Sequence, residues 1–393
     1  MKKKYICAVA ISLLYIPHSF ADIAFNGFAS IRASQASSDN GLTPFPEFKE
    51  GEIDFKGESL FGLQARADLG DGLSATIQMY AEGAQDFKLD ARWAYLSYQA
   101  NDTHRISAGR FANPIFHQSE YEVVGYAHNF SRLPKSVYLD FEFATIEGIA
   151  LDSSFDVGDN TLTTKLLYGG WQGEVYIAAL NQNIPLGFNN IISFNATYAG
   201  DWWSIFGGAF TTEIDGAQFD QQALGAFTAG GIALARQNGA NDADVNTFND
   251  AIMWDTKDGI YSFAGFNVDY NDWIVDFEYA YYGVDESSDG YNDTWFFALG
   301  KRFNDYVITI HTEEFNQEAD FSVFNQVKHP ILKATAQGIQ TSLAAREFDG
   351  SGISLRYDFH SNAAFKFDYF KGQDSRAAVG DFTIISAGVD LVF

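Results

Sequence analysis

The 393-residue chain has one cysteine, Cys7, and only 7 prolines. Cys7 falls in the leader described below, so the remaining chain carries no thiol. That excludes disulfides, thiolate metal sites and a cysteine nucleophile. It suits an oxidising exterior, where a stray thiol is a liability. Basic residues are also scarce: 25 Lys and Arg stand against 51 Asp and Glu, a formal charge of −26. A nucleic-acid partner needs a basic face, which this balance argues against.

Long apolar runs are missing after residue 21. The nearest candidate, 217–236, is glycine-rich and broken by Asp220, Gln221 and Gln222, so no helical membrane span is expected. Catalytic motifs of the H-E-x-x-H, G-x-S-x-G or G-x-x-x-x-G-K kind do not appear in suitable context, and no enzyme activity, cofactor or metal is expected. The Asp-rich stretch 241–258 lacks the spacing of a calcium loop and reads as a solvated acidic segment.

Residues 1–21 read as a secretory signal: Lys2, Lys3 and Lys4, an apolar stretch from Ile6 to Ile16, then Ser19-Phe20-Ala21 before the cut. Its apolar part is too short to span a bilayer as a helix. The mature chain is then 22–393, and losing three lysines takes the charge from −26 to −29. Such acidity often means disorder. Here aromatics are 16% and hydrophobics 47%, with 35 glycines, so apolar surface is ample and extended β structure with charged loops is indicated.

Alternation of period two runs through most of 22–393. It divides into sixteen segments: 22–34, 59–69, 73–82, 91–100, 104–111, 144–156, 161–169, 189–199, 202–213, 259–270, 273–283, 294–303, 306–315, 351–360, 363–371 and 382–393. Two classes of connection alternate between them. One class is two to four residues of Gly, Asp and Asn, such as Gly70-Asp71-Gly72 and Asn271-Asp272, which suits tight hairpins. The other is longer: 35–57, 83–90, 112–143, 170–188, 214–258, 284–293, 316–350 and 372–381. Short turns at one end and long loops at the other is the organisation of an outer-membrane barrel. A run within 316–350, from Val327 to Arg346, suggests a short helix serving as a lid or an inert surface element.

The two faces differ in the sense such a barrel requires. Trp273, Val275, Phe277, Tyr279 and Tyr281 share one face of their segment; Asp276 and Glu278 share the other. Apolar residues outward against lipid and polar residues inward around water fit a barrel. Closure removes the sheet edge that hydrocarbon forbids. Sixteen strands leave room for an aqueous channel. Aromatics such as Trp202, Tyr270, Trp273, Phe303 and Tyr306 crowd segment ends, as interfacial girdles do.

The 112–143 connection is too long and too aromatic for a plain linker. It holds Pro114, Pro134, Glu120, Glu122, Asp140 and Glu142, with no helix or strand period. We read it as folded inward across the hollow, narrowing it.

Several motifs in order resemble the Gram-negative general porins. They are Leu60-Phe61-Gly62-Leu63-Gln64 leading to Asp68-Leu69-Gly70-Asp71-Gly72-Leu73, Ala94-Tyr95-Leu96 after Arg92, and Gly109-Arg110 before the third loop. Gly125-Tyr126-Ala127 followed by Arg132-x-Pro134-x-x-Val137-Tyr138 resembles the third loop of marine gammaproteobacterial members, and Phe393 behind Val389 and Leu391 resembles the outer-membrane assembly signal. The resemblance implies an all-β, sixteen-stranded antiparallel transmembrane barrel, a homotrimer in outer-membrane lipid, with the third loop forming an eyelet. It places Arg92 on the wall facing that loop and Arg110 nearby. The face assignment adds Arg32, Lys165, Arg356 and Lys366 as inward basic groups. Opposite them stand Glu120, Glu122, Asp140 and Glu142. Leu60 occupies a place where a second wall arginine is usual, which thins the basic ladder.

The function so implied is passive diffusion of small hydrophilic solutes and ions, with mild cation preference from the excess negative charge. The competing reading is a substrate-selective channel for sugars, oligosaccharides or phosphate. That would use a dense Lys/Arg ladder or a stacked aromatic track, with Phe116, Tyr121, Tyr126 and Phe130 as the start of such a track. A soluble secreted β adhesin is a third class, excluded if extraction needs detergent.

Overall fold

The structure, a computed structural model, describes residues 22–138, 144–177, 180–343, 346–376 and 378–393; the expected leader, 1–21, lies outside them. Sixteen strands form: β1 (Asp22–Ser38), β2 (Leu60–Gly70), β3 (Leu73–Glu82), β4 (Asp90–Gln99), β5 (His104–Ala112), β6 (Thr145–Val157), β7 (Asn160–Ile177) and β8 (Gln182–Ala199) in the first half. The second half holds β9 (Trp203–Asp215), β10 (Asp258–Tyr270), β11 (Trp273–Val284), β12 (Tyr291–Phe303), β13 (Tyr306–Glu318), β14 (Glu347–His360), β15 (Ala363–Asp374) and β16 (Gly380–Val392). Each pairs antiparallel with its sequence neighbours, and β1 closes on β16 from Phe28↔Val392 to Ser38↔Phe382. The sheet is a closed barrel, so no strand edge is left along the wall.

Tight turns form where the chain supplies residues that tolerate left-handed backbone. Asn271 (φ 50°) and Asp272 (φ 65°) make the two-residue turn whose flanks Tyr270 and Trp273 are paired. This primed-type geometry matches the strand twist.

The barrel's exterior is apolar. Phe25 is 73% exposed and Ile31 61%, while Ser30, Arg32 and Ser34 between and beyond them on the other face are buried. A water-soluble protein hides such alternating residues; a wall facing hydrocarbon displays them. Trp202, Tyr270, Trp273, Phe303 and Tyr306 are exposed at the short-turn end. Lys301 Nζ stands 4.9 Å above the Trp273 ring, placing an ammonium beside an amphipathic aromatic.

Two expectations need correction. The connection 170–188 is not a loop: β7 and β8 continue to Ile177 and from Gln182, a tall hairpin set off by register shifts near Gly169 and Asn189. Bulges bend a strand without ending its ladder. The inner face is also not uniformly polar. Phe206 and Phe210 of β9 and Tyr261 and Phe263 of β10 are buried with Phe116, Phe130, Leu133, Val137 and Tyr138 of the third connection. Those wall aromatics are largely covered by protein rather than water, with part of Phe206 and Phe263 left to line a cavity, so their apolar character costs little there.

The fifth connection is helical. α1 (Ala217–Phe219) runs through a π turn, Asp220–Leu224, into α2 (Gly225–Gln237), and α3 (Asp242–Ile252) follows. The helix expected in the seventh connection is α4 (Pro330–Leu343). A capping box starts α3: Asn241 Oδ1 accepts the Asp244 N–H at 3.1 Å, and Asp244 Oδ2 accepts the Asn241 N–H at 2.9 Å. Ala235, Val245, Phe248, Phe324, Leu332 and Ala336 give these helices a core separate from the barrel. Among the described residues no helix is long and apolar enough to cross a membrane.

Candidate functional site

The third connection leaves β5 at Ala112 and is pinched at its base, where the Asn113 N–H donates to the Ala144 carbonyl at 2.9 Å. Between them, apart from one 3-10 turn at Gly125–Ala127, the described part of the segment is irregular. Its backbone groups therefore need partners from elsewhere. The wall supplies them.

Glu278 on β11, 1% exposed, takes two: its Oε1 accepts the His117 N–H at 3.0 Å, and its Oε2 accepts the Tyr138 hydroxyl at 2.5 Å. Glu313 on β13 accepts the Ser136 N–H at 2.6 Å. Lys366 on β15 donates to the carbonyls of Gly125 and Phe130 at 2.5 and 2.8 Å. Arg356 on β14 donates to those of Tyr126 and His128 at 2.8 and 2.9 Å, with its guanidinium 4.8 Å from the Tyr126 ring centre. Arg132 of the loop reaches Asp368 on β15 at 3.3 Å and Glu58 of the first connection at 3.5 Å. The Tyr126 hydroxyl donates to Ser361, in the β14–β15 turn, at 2.9 Å.

The residues expected from sequence divide into three groups. Two wall cations meet loop acids: Arg92 Nη2 lies 3.0 Å from Glu122 Oε2, and Lys165 pairs with Glu120. Three others bond wall acids instead, and two of them, Lys366 and Arg356, hold loop carbonyls as well. Arg32 and Lys366 both bond Asp390 on β16, at 2.7 and 2.9 Å, and Arg356 bonds Asp358 at 2.9 Å. Arg110 sits apart, 3.5 Å from Glu147 and 4.0 Å from Asp90. Asp140 and Glu142 lie outside the described residues.

Sequence reasoning did not single out Glu313, Asp368, Asp390 or Arg132 as anchors. Glu278 falls on the polar face of its segment, but its role in holding the loop depends on contacts across 161 and 140 positions of chain. The aromatic set proposed as a track is mostly committed to packing. Phe116 and Phe130 are buried, Tyr126 lies against Arg356, and Tyr121 alone of the four is both unburied and 38% exposed at its place beside His128.

Burial shapes the loop's chemistry. It pushes the His117 imidazole down to about 4. It pushes His128 down to about 3, and the neighbouring Lys366 ammonium acts in the same direction. The Lys165 ammonium holds the Glu120 carboxyl below its usual range. Burial raises the Tyr121 hydroxyl to about 12, and Glu278 adds to the effect.

Cavities flank the loop. One of about 140 Å³ lies between the first and third connections and is lined by Arg32, Glu58, Glu122 and Arg132. A second, about 490 Å³, has Arg105, Glu120, Asp152 and Lys165 on its wall. A third, about 430 Å³, has Asp201, Asp269 and Asp276 as its charged lining. Among the described residues no group of three His, Cys, Asp or Glu is placed to hold a metal ion.

No protein-family model and no curated protein sequence matches the chain. Solved structures do. An anion-selective porin from Comamonas acidovorans is 10% identical with a TM-score of 0.58, covering 95% of this chain and 100% of that one. OmpF of Salmonella typhi, solved with daunomycin, is 12% identical with a TM-score of 0.56 over 95% of this chain and 98% of that one. OmpT, an outer-membrane protein of Vibrio cholerae, solved as a trimer form, is 11% identical with a TM-score of 0.52 over 94% of this chain and 99% of that one. At such identities the likeness is one of architecture: this chain has the closed, sixteen-stranded, multi-pass barrel fold that outer-membrane porins share.

Proposed function

We propose that the protein is an outer-membrane porin for passive diffusion of small hydrophilic solutes and ions, with the third connection folded into the lumen to set its width. One observation carries this reading: the segment between Asn113 and Tyr138 bonds side chains of β4, β7, β11, β13, β14 and β15. A single loop reaches six strands around a closed cylinder by crossing its interior.

Flux then needs no chemistry. Charged wall and loop groups order water, and an apolar solute that displaces it replaces none of its hydrogen bonds. The excess of acid, and the carboxylate-lined cavity at Asp201, Asp269 and Asp276, favour cations mildly. A homotrimer, removal of the leader 1–21 on export, and delivery by the assembly machinery through Phe393 belong to the same proposal. Phe393 is 67% exposed at the end of the chain, tied by backbone bonds to Gly27. A dedicated sugar track is disfavoured, because Phe116 and Phe130, 4% and 2% exposed, are packed into the apolar cluster between loop and wall and do not form a continuous stack.

Recording of detergent-purified protein in planar bilayers tests the reading. Conductance steps in triplets, flux linear in concentration for simple salts and sugars, and a reversal potential of cation sign are expected. An absence of channels, or strong anion preference, would overturn it.

A further inference from the structure

The 490 Å³ cavity has two unlike walls. One carries four charges of alternating sign in one connected series. Arg105 on β5 bonds Asp152 on β6 at 3.1 Å; Asp152 lies 3.4 Å from Lys165 on β7; Lys165 pairs with Glu120 of the third connection. Arg105 is 44% exposed and Glu120 57%, so both ends of the series are open to a solute, while Lys165 at 17% and Asp152 at 21% are more enclosed. The other wall is aromatic: Phe206, Phe263 and the His117 ring, which stacks on Phe206 at 3.7 Å between centroids with an interplanar angle of 10°.

We infer that this cavity is a binding subsite for small zwitterions bearing an apolar side chain, such as an aromatic or branched α-amino acid. This rests on the porin reading above. Adjacent cation and anion on one wall match a carboxylate and an ammonium held on one carbon. A neutral sugar would leave those charges to each other and satisfy hydroxyls only. A simple inorganic ion would use one end of the series and ignore the aromatic wall. An amino acid uses both: its charges lie along Arg105–Asp152–Lys165–Glu120 and its side chain lies on Phe206 and Phe263. Pockets with an apolar body and a few convergent polar groups are how small-molecule sites obtain both affinity and orientation. The subsite would hold such solutes briefly during passage and favour them over sugars of equal size.

Titration calorimetry or saturation-transfer NMR on detergent-solubilised, full-length protein tests this without requiring conduction. L-phenylalanine is expected to bind saturably, at least ten-fold more tightly than glycine, phenethylamine, 3-phenylpropionate or glucose. The single-charge analogues test the charged wall and glycine tests the aromatic one. Lys165→Gln is expected to weaken L-phenylalanine at least ten-fold. Phe263→Leu, which keeps the wall packed, is expected to weaken L-phenylalanine but not glycine. Binding of 3-phenylpropionate or glucose as tight as that of L-phenylalanine would overturn the inference, as would no saturable binding to protein whose gel mobility shows a folded barrel. The two proposals fail separately. Channels without amino-acid binding would sink the subsite alone; binding without channels would sink the diffusion reading alone.

Discussion

Arg32 and Asp390 are 358 positions apart in the chain, and the arginine Nη2 reaches both carboxylate oxygens, at 2.7 and 3.0 Å. Lys366 approaches the same carboxylate at 2.9 Å, so one acid on the last strand serves cations on β1 and β15. All three are at most 7% exposed. Lys366 also holds two loop carbonyls, so the seam where the barrel closes is one point at which the loop is fastened.

Asp390→Asn keeps the shape of that carboxyl and removes its charge. Two enclosed cations then lose their counter-ion, a change that costs about 3–5 kcal/mol in comparable buried pairs. The temperature at which the folded gel band converts to the unfolded one is expected to fall clearly. An unchanged conversion temperature would mean the seam is held by its backbone ladder alone.

Glu278 fastens the loop at another point, with one oxygen for a backbone amide and one for the Tyr138 hydroxyl. A buried hydrogen bond contributes about 0.5–1.5 kcal/mol net, and leaving a buried donor unpaired costs about 1–3 kcal/mol. Glu278→Ala removes both, while the β11 ladder to β10 and β12 stays intact. Single-channel recordings of the variant are expected to show larger open-state noise and higher conductance. Noise equal to that of the parent would argue that the loop does not bound the path.

The barrel was legible because its signals are local. Asn271-Asp272 and Asn304-Asp305 are turns in any context that pairs their flanks, and alternation locates the strands between them. The tall β7–β8 hairpin was missed for a physical reason. Gly169-Gly170 looks like a breaker, and a membrane crossing needs only about ten residues. Yet Trp171, Gly173, Val175 and Ile177 continue to alternate with Gln172, Glu174 and Tyr176 on a strand that outruns the wall. The site was less legible. Polar faces marked Arg32, Lys366 and Glu278 as inward, but which acid meets which cation depends on closure of β1 against β16, which no local pattern encodes. Inner aromatics such as Phe206 and Tyr261 looked like strand formers, and only the loop lying on them explains their place.

His117 and His128 make the loop acid-sensitive. Both are held neutral by burial, with folded values near 4 and 3 against an ordinary 6.5. A depressed value means the unbound loop takes up protons first. The docked loop has its full advantage above pH 6.5 and loses it as pH falls from there towards 4 and 3. Hydrogen exchange corrected for intrinsic rates should therefore quicken in 115–138 between pH 7 and pH 4, with the barrel strands unchanged. His128→Gln should flatten part of that response. Equal protection of the loop at both pH values would refute the assignment.

The acid-lined cavity predicts where the proposed cation preference would arise. Asp269 is partnered by Arg302 at 2.8 Å, which leaves Asp201 and Asp276 as its less compensated acids. Asp201→Asn with Asp276→Asn is expected to lower the cation-to-anion permeability ratio by about two-fold, since a lining charge acts by raising the local counter-ion concentration. Reversal potentials in a salt gradient give the ratio directly. The same substitutions leaving it unmoved would place selectivity at Glu122 and Arg92 instead.

The helical fifth connection hangs on one side chain. Asp220, 4% exposed, accepts the Trp254 and Asp255 N–H groups at 2.9 and 2.8 Å and so joins the start of the helical segment to its end. The Trp254 indole then reaches Ser288 of the sixth connection at 3.1 Å and lies against Phe219. Asp220→Ala leaves two amides without their acceptor, at a cost of about 1–3 kcal/mol for each that stays buried. Phe219, Ala223 and Leu224 beside it join the barrel's apolar cluster and would stay packed there, while α2, α3 and α4 have a core of their own, so that loss should stay local. Limited proteolysis is expected to cut the 217–257 segment faster in the variant, with Asp220→Asn intermediate because it retains one carbonyl acceptor. The gel conversion temperature of the barrel should not move. A fall in that temperature as large as the one expected for Asp390→Asn would mean the helices brace the wall rather than merely rest on it.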